Sequence, residues 1–478
     1  MFTSSFFLIY LLIVVLIFFS IRREWRISVL AVASLIFCFH LDIYAGIVLV
    51  ILTLFSFAGG HWMEWLKKRE KKKYTGIIVK FFVLFDISLL FIYKFAVYFL
   101  ERFQYAEEVS PVLMEYLMIP LGLSFYTFQS VSYLVDVYKD TYNAKENLME
   151  FLLYMSFFPK FLSGPIERAK DFMGQLKEIK EINFWQSGRL SIAFTYILYG
   201  YFMKIVIADR VAMIVNRIFE YPQGYDTIWL IVGIVFYTIQ IYADFAGYSY
   251  IAVGVAKIFG IKIQINFKNP YFSYSISEFW RKWHISLSSW LRDYLYIPLG
   301  GNRKGKVRKN LNTMIVFIVC GIWHGTGISF FIWGILHGLY SIADNLILNN
   351  VKNPYLKRSI TIVEIAAAWV FFRATSASAA INYFKQIVVQ GVSFERIINN
   401  FYLLELNGIE MSVIVVSIFI MILADKWANN YKTIFPEILQ KKSQLIRYCI
   451  FYILLIFVIV FGIYGTGYDP GNFIYMQF

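Results

Sequence analysis

Apolar runs of 17 or more residues recur along the whole of this 478-residue chain. A run of that length spans the hydrocarbon core of a bilayer as a helix. The chain is 59% hydrophobic and 16% charged, against about 25% charged residues in a soluble domain. No soluble domain fits between the runs. The expected fold is therefore an all-α integral membrane protein, one domain over residues 1–478, with about eleven to thirteen membrane helices. The first run, Phe6 to Phe19, has no basic residue before it and no small-residue cleavage site after it, so it reads as a retained helix.

The net charge is +14, and the cations cluster between apolar runs. Flanking charge of this kind sets the orientation of a membrane protein, so membrane lipids are the expected surroundings and no nucleic-acid partner is expected. Arg22, Arg23 and Arg26, and the block from Lys67 to Lys73, should be cytoplasmic. The stretch Ile27 to Gly60 between them then has to be a hairpin of two short helices. Phe151 to Gly164 is apolar but short, contains Pro159, and ends in Ser163-Gly164-Pro165. A re-entrant segment lining a cavity fits it better than a span. The segment Lys426 to Arg447 should be cytoplasmic. One further span would then place the tail 465–478 on the outer face. Cys38, Cys320 and Cys449 are far apart in apolar runs and read as buried structural thiols.

The most structured polar stretch runs from Ser275 to Tyr296. Ser275 and Glu278 have the spacing of a capping box, and Trp280, Trp283, His284, Leu287, Trp290, Leu291 and Tyr294 recur at helical spacing. A Trp-rich amphipathic helix with basic residues lies at a membrane interface. Arg281, Lys282 and Arg292 could serve as anchors there, or could bind the phosphates of an acyl donor or a lipid.

Five histidines are present: His40, His61, His284, His324 and His337. His324 lies in Cys320-Gly-Ile-Trp-His-Gly325, inside a run that should be at membrane depth, where ionisable groups are rare and functional by default. Imidazole accepts a proton near neutral pH, as a general base must. A satisfied core histidine is the alternative. No metal or redox cofactor site is evident.

Ser277-Glu-Phe-Trp-Arg-Lys-Trp-His284 followed by Gly321-Ile-Trp-His-Gly325 resembles the paired histidine motifs of the bacterial membrane-bound O-acyltransferase family. The stretches Ile119 to Gln129, Ser132 to Tyr138, Phe158 to Arg168 and Tyr242-Ala-Asp-Phe-Ala-Gly-Tyr248 extend the resemblance over nearly the whole chain. It is nearest to the branch that O-acetylates alginate, peptidoglycan and related envelope polysaccharides. The family's fold is polytopic, and its motif-bearing core corresponds to about 117–345 here.

The resemblance implies an acyltransferase of the bacterial cytoplasmic membrane. The donor would be an acyl-CoA, most simply acetyl-CoA, or an acyl carrier on the cytoplasmic side, and the partner an extracytoplasmic serine-hydrolase-like (SGNH) acyltransferase. His324 matches the essential family histidine and is the expected base. His284 matches the second histidine, which catalyses or orients the interfacial helix, and His337 is expected to be structural. Gln129, Asp244, Asn269 and Trp323 are candidates to line the site or its tunnel. The tail Asp469 to Phe478 resembles the Phe-x-Tyr ending of the small partner peptide of teichoic acid D-alanylation, so Tyr475 would be an acyl relay. An interfacial aromatic anchor is the other reading. One rival differs in class, a transporter or flippase for envelope lipid or glycan without chemistry of its own; a second stays within the family, as a D-alanyl transferase or an enzyme acylating lipid, sterol or protein.

Overall fold

The computed structural model describes residues 2–464 other than 104, 106–108, 111–113, 115–116, 163, 185–187, 349 and 405. Every regular element among them is helical. Seven stretches are long and apolar enough to cross a membrane: Arg23–Leu41, Ile43–Lys68, Lys72–Arg102, Arg189–Glu220, Thr227–Ile258, Gly408–Asn430 and Gln444–Phe461. Ser5–Ser20 and Ile328–Asp344 are shorter apolar helices. The chain is a multi-pass membrane protein. It divides into two compact units, one of Phe2–Phe194 with Ala252–Gln264, the other of Thr195–Ile251 with Ile265–Phe478.

The first unit holds α1 (Ser5–Ser20), α2 (Arg26–Leu41), α3 (Ile43–Lys68), α4 (Thr75–Arg102), α5 (Leu123–Tyr138), α6 (Leu148–Ser156), α7 (Ala169–Met173) and α8 (Leu176–Glu181). The expected hairpin after Arg26 is present. Asp42 separates α2 from α3, and its carboxylate caps α3 by accepting from the Ala45 N–H at 3.0 Å. The segment read as re-entrant leaves helix at Ser156 and continues without one to Arg168. Several of its described polar groups have partners inside the protein. The Phe158 N–H donates to Ser34 Oγ at 3.2 Å. The buried Lys160 ammonium donates to the Tyr154 carbonyl at 2.6 Å and to Gln129 Oε1 at 2.7 Å. Gly164 is required there, because a Cβ would sit 2.3 Å from Lys160 Cα.

Next along the chain are α9 (Arg189–Tyr201), α10 (Asp209–Glu220) and α11 (Thr227–Ile258), with a π-helical turn at Phe202–Ala208 joining α9 to α10. In the second unit follow α12 (Ile276–Lys282), α13 (Ile285–Leu291), α14 (Gly305–His324), α15 (Ile328–Ile347), α16 (Pro354–Arg373), α17 (Ala377–Val389), α18 (Phe394–Leu403), α19 (Gly408–Asn430), α20 (Phe435–Gln440) and α21 (Gln444–Phe461).

Two expectations are corrected. The stretch Ser275–Tyr296 is not one helix. It breaks at Trp283-His284, where His284 takes left-handed φ 43° and ψ 53°. The cause is backbone pairing across the break: the Lys268 N–H donates to the Lys282 carbonyl and the Ile285 N–H to the Asn266 carbonyl, both at 3.0 Å. Cys38 and Cys320 are buried as expected, but Cys449 is exposed on α21.

α14 and α15 form the closest helix pair of the second unit. A Cβ on Gly321 would come within 2.4 Å of the Phe330 carbonyl oxygen, and one on Gly334 within 2.4 Å of the Phe317 carbonyl oxygen. α15 carries a small-residue stripe of the GxxxG kind, Gly334 with Gly338, and faces Gly321 of α14. Gly334→Ala should therefore force the two backbones apart and lower stability by roughly 1–3 kcal/mol, read as an earlier thermal transition of the detergent-solubilised protein. An unchanged transition temperature would mean that the pair is not held by this approach.

Candidate active site

The site is built on the end of α14. His324 is its last residue, 4% exposed. Its ring meets three aromatic rings nearly edge to face: Trp323 at 4.6 Å, Trp333 at 5.0 Å and Phe372 at 5.2 Å between centroids. Trp333 comes from the facing helix α15 and Phe372 from α16, so the glycine contact between α14 and α15 sets this geometry.

His284 arrives from a different part of the chain. Its ring lies 4.8 Å from Phe245 and 6.3 Å from Trp323. The Trp323 indole thus lies near both motif histidines. The series continues through Trp333 to His337, at 4.8 Å. Trp280 closes it by donating its indole N–H to His337 Nδ1 at 3.3 Å. Imidazoles and indoles alternate through the whole series, and His284 and His337 are fully buried. The sequence reading set His337 apart as structural. Its place in the series was not visible because α15 reaches α12 only in three dimensions.

The left-handed backbone of His284 costs about 1–2 kcal/mol in a non-glycine residue. It is held by the two backbone bonds described above and by Asn266, whose Oδ1 accepts from the Ser286 N–H at 3.1 Å. Burial pushes the His284 imidazole down to about 3, because an apolar surrounding disfavours the cation. The ring is neutral at physiological pH.

The remaining candidates separate. Trp323 is in the site. Asp244, next to Phe245 on α11, forms an ion pair with Lys204 at 2.7 Å, and Lys204 also holds Asp209 at 2.7 Å. This buried carboxylate–ammonium–carboxylate group sits on the π-helical turn 202–208. A lysine inside the apolar run Ile192–Ile207 was its visible signal, and the sequence reading passed over it. Asn269 is buried in a left-handed conformation, φ 49°, and donates from Nδ2 to the Thr433 carbonyl at 2.8 Å. Gln129 belongs to the first unit and accepts from Lys160.

Of the three cations read as phosphate ligands, Lys282 pairs with Glu278 at 2.8 Å and Arg292 with Asp293 at 2.8 Å. Arg281 is exposed. Tyr475 lies outside the described residues.

These motifs can be set beside known proteins. The family model described as MBOAT, membrane-bound O-acyltransferase family, matches residues 143–384. The probable alginate O-acetylase AlgI of Pseudomonas aeruginosa is 36% identical over 307 residues, 62% of this chain and 58% of its own length. The peptidoglycan O-acetyltransferase of Helicobacter pylori is 34% identical over 340 residues, 64% of each chain. The teichoic acid D-alanyltransferase of Bacillus subtilis is 29% identical over 272 residues, 52% of this chain and 66% of its own. The chain thus spans under two thirds of the alginate and peptidoglycan relatives it matches.

The buried neutral His284 has a pH consequence. Its folded pKa lies below the value of about 6.5 in an unfolded chain, so the unfolded state binds the extra proton and stability falls as pH drops below about 6.5. His284→Asn tolerates the left-handed backbone and does not titrate there. Thermal unfolding at pH 7.5 and pH 5 should give a smaller acid loss for this variant than for the parent; equal losses would mean that His284 is not buried neutral.

Proposed function

Because the chain belongs to the membrane-bound O-acyltransferase family, we propose that it transfers an acyl group, acetyl in the simplest case, from a cytosolic thioester for O-acylation of an extracytoplasmic envelope polysaccharide. The observation that carries this reading is the meeting of the two motif histidines, forty residues apart in sequence, on one indole. The activities named for these relatives support the substrate class: alginate, peptidoglycan and teichoic acid are all envelope polymers.

The chemistry needs a hydroxyl nucleophile, a base and a site for the developing oxyanion. The hydroxyl oxygen attacks the thioester carbonyl carbon while His324 takes its proton. The tetrahedral oxyanion collapses, the C–S bond breaks, and the imidazolium returns the proton to the leaving thiolate. The neutral His284, whose ring lies 6.3 Å from that of Trp323, orients that indole and through it the base. His324 is enclosed by aromatic rings, so access runs past a ring that can move. Phe330 is half-buried and packs on Phe372 at 5.2 Å, next to the base.

In this reading coenzyme A, or an acyl carrier, delivers the group at the cytoplasmic face of the bacterial membrane. A serine-hydrolase-like partner takes it on the outer face, where the tail 465–478 is placed. Tyr475 is the relay between them. A phenol has a pKa of about 10 and a thiol about 8.5, so a phenyl ester retains most of the thioester's activation.

Two measurements in proteoliposomes with labelled acetyl-CoA test this. His324→Ala should lower transfer by at least about a hundredfold, the low end of general acid–base contributions, with membrane insertion intact; unchanged transfer removes the base assignment. Tyr475→Phe should abolish labelling of the chain and polysaccharide acetylation together. Acetylation surviving that change makes Tyr475 an anchor.

A further inference from the structure

A second charged feature lies apart from the histidines, in the first unit. A cavity of about 280 Å³ opens between the start of α9 and the end of α11, lined by Gly188, Arg189, Ile192, Lys257, Gly260, Ile261 and Lys262. Three of its lining residues are cations and none is a carboxylate. The N-terminus of the 13-residue α9 also opens here, adding the positive end of a helix dipole.

Arg189 and the backbone of Lys262 are held by neutral groups. The Arg189 guanidinium donates to the Ile258 carbonyl at the end of α11, and to the Asn183 carbonyl at 2.7 Å. It also stacks on the Phe19 ring of α1 at 5.3 Å, and its Nε hydrogen has no acceptor among the described residues. Arg26 stacks on the same Phe19 ring at 5.6 Å and is bound by the Ile182 carbonyl at 2.6 Å. One phenyl ring thus carries two guanidinium groups, each bound by carbonyls. Lys262 is held by its backbone, which Gln175 grips from both sides: the Lys262 N–H donates to Gln175 Oε1 at 2.8 Å, and Gln175 Nε2 donates to the Lys262 carbonyl at 3.0 Å. Its exposed side chain is left to reach outward.

The site has a definite level. α1 ends, α9 begins and α11 ends around it, and α9 and α11 are candidate spans. The cavity therefore sits where apolar helices meet the polar boundary, with Phe19 and Ile192 on its apolar side. Pockets for whole small molecules run from roughly 300 to 1,000 Å³. A cavity of 280 Å³ takes a phosphate and its nearest substituent and is too small for an entire coenzyme. Basic pockets between membrane helices bind the phosphates of lipid headgroups.

We infer that this cavity binds a phosphate group, presented by an anionic lipid headgroup or by a soluble phosphate, independently of acyl transfer. The inference goes beyond the proposed function and does not depend on which donor the enzyme uses.

The test uses the full chain with Arg189 left intact, because that side chain caps α11. Native mass spectrometry counts phosphatidylglycerol against phosphatidylcholine retained by the parent, by Lys257→Gln/Lys262→Gln and by the charge-preserving Lys257→Arg/Lys262→Arg. A parallel arm measures binding of inorganic phosphate to the same three proteins in zwitterionic detergent-free nanodiscs. The glutamine variant should lose roughly thirtyfold in affinity, about fivefold per cation, and the arginine variant should retain it. Loss confined to phosphatidylglycerol assigns a lipid headgroup; loss confined to inorganic phosphate assigns a soluble ligand. Equal binding by all three proteins in both arms overturns the inference. If the double variant does not fold, Lys262→Gln alone, at an exposed position, should show the fivefold step.

Discussion

The close approach of α14 and α15 governs the rest of the second unit. At Gly321 and Gly334 each backbone lies so near the facing carbonyl that no side chain fits. Dispersion between two closely packed backbones is a main attraction available to helices in lipid, where apolar burial gains nothing. That contact fixes where the end of α14 stands relative to α15. His324 can then meet Trp333, and Trp333 can meet His337.

The second constraint is local. His284 occupies a left-handed backbone because the chain on either side of it is tied to residues 266–268. Were the interfacial stretch a continuous helix, His284 would point where helical spacing sends it, among the other tryptophan-stripe residues. The break turns it toward Phe245 and Trp323 instead. On α11, next to Phe245, Asp244 is compensated by Lys204. A buried charge is tolerable only with such a partner, and the π-helical turn carrying Lys204 lets its backbone come close to Gly247.

Much of this was legible in sequence. The apolar runs gave the helical membrane class, and the runs 74–100, 228–256 and 328–347 end within two residues of α4, α11 and α15. The paired motifs gave the family. Hidden from sequence were features that depend on which helix faces which. The period-3.6 pattern from Trp280 to Tyr294 argued for one helix, and hydrogen bonds from a distant segment overrode it. Lys282 and Arg292 looked free in sequence and are neutralised by acidic neighbours at i−4 and i+1. His337 is read as structural in sequence; Trp333 precedes it by one turn on α15, but Trp280 reaches it from α12 only in three dimensions.

The tie between residues 266–268 and 282–286 closes a loop of only about twenty residues, and short loops cost little entropy to close. Such an element can form before the long-range docking of α14 with α15 and α16, since contacts near in sequence are made sooner. In the order of assembly, the strained histidine would be in place first, and the helix bearing the second histidine would close over it.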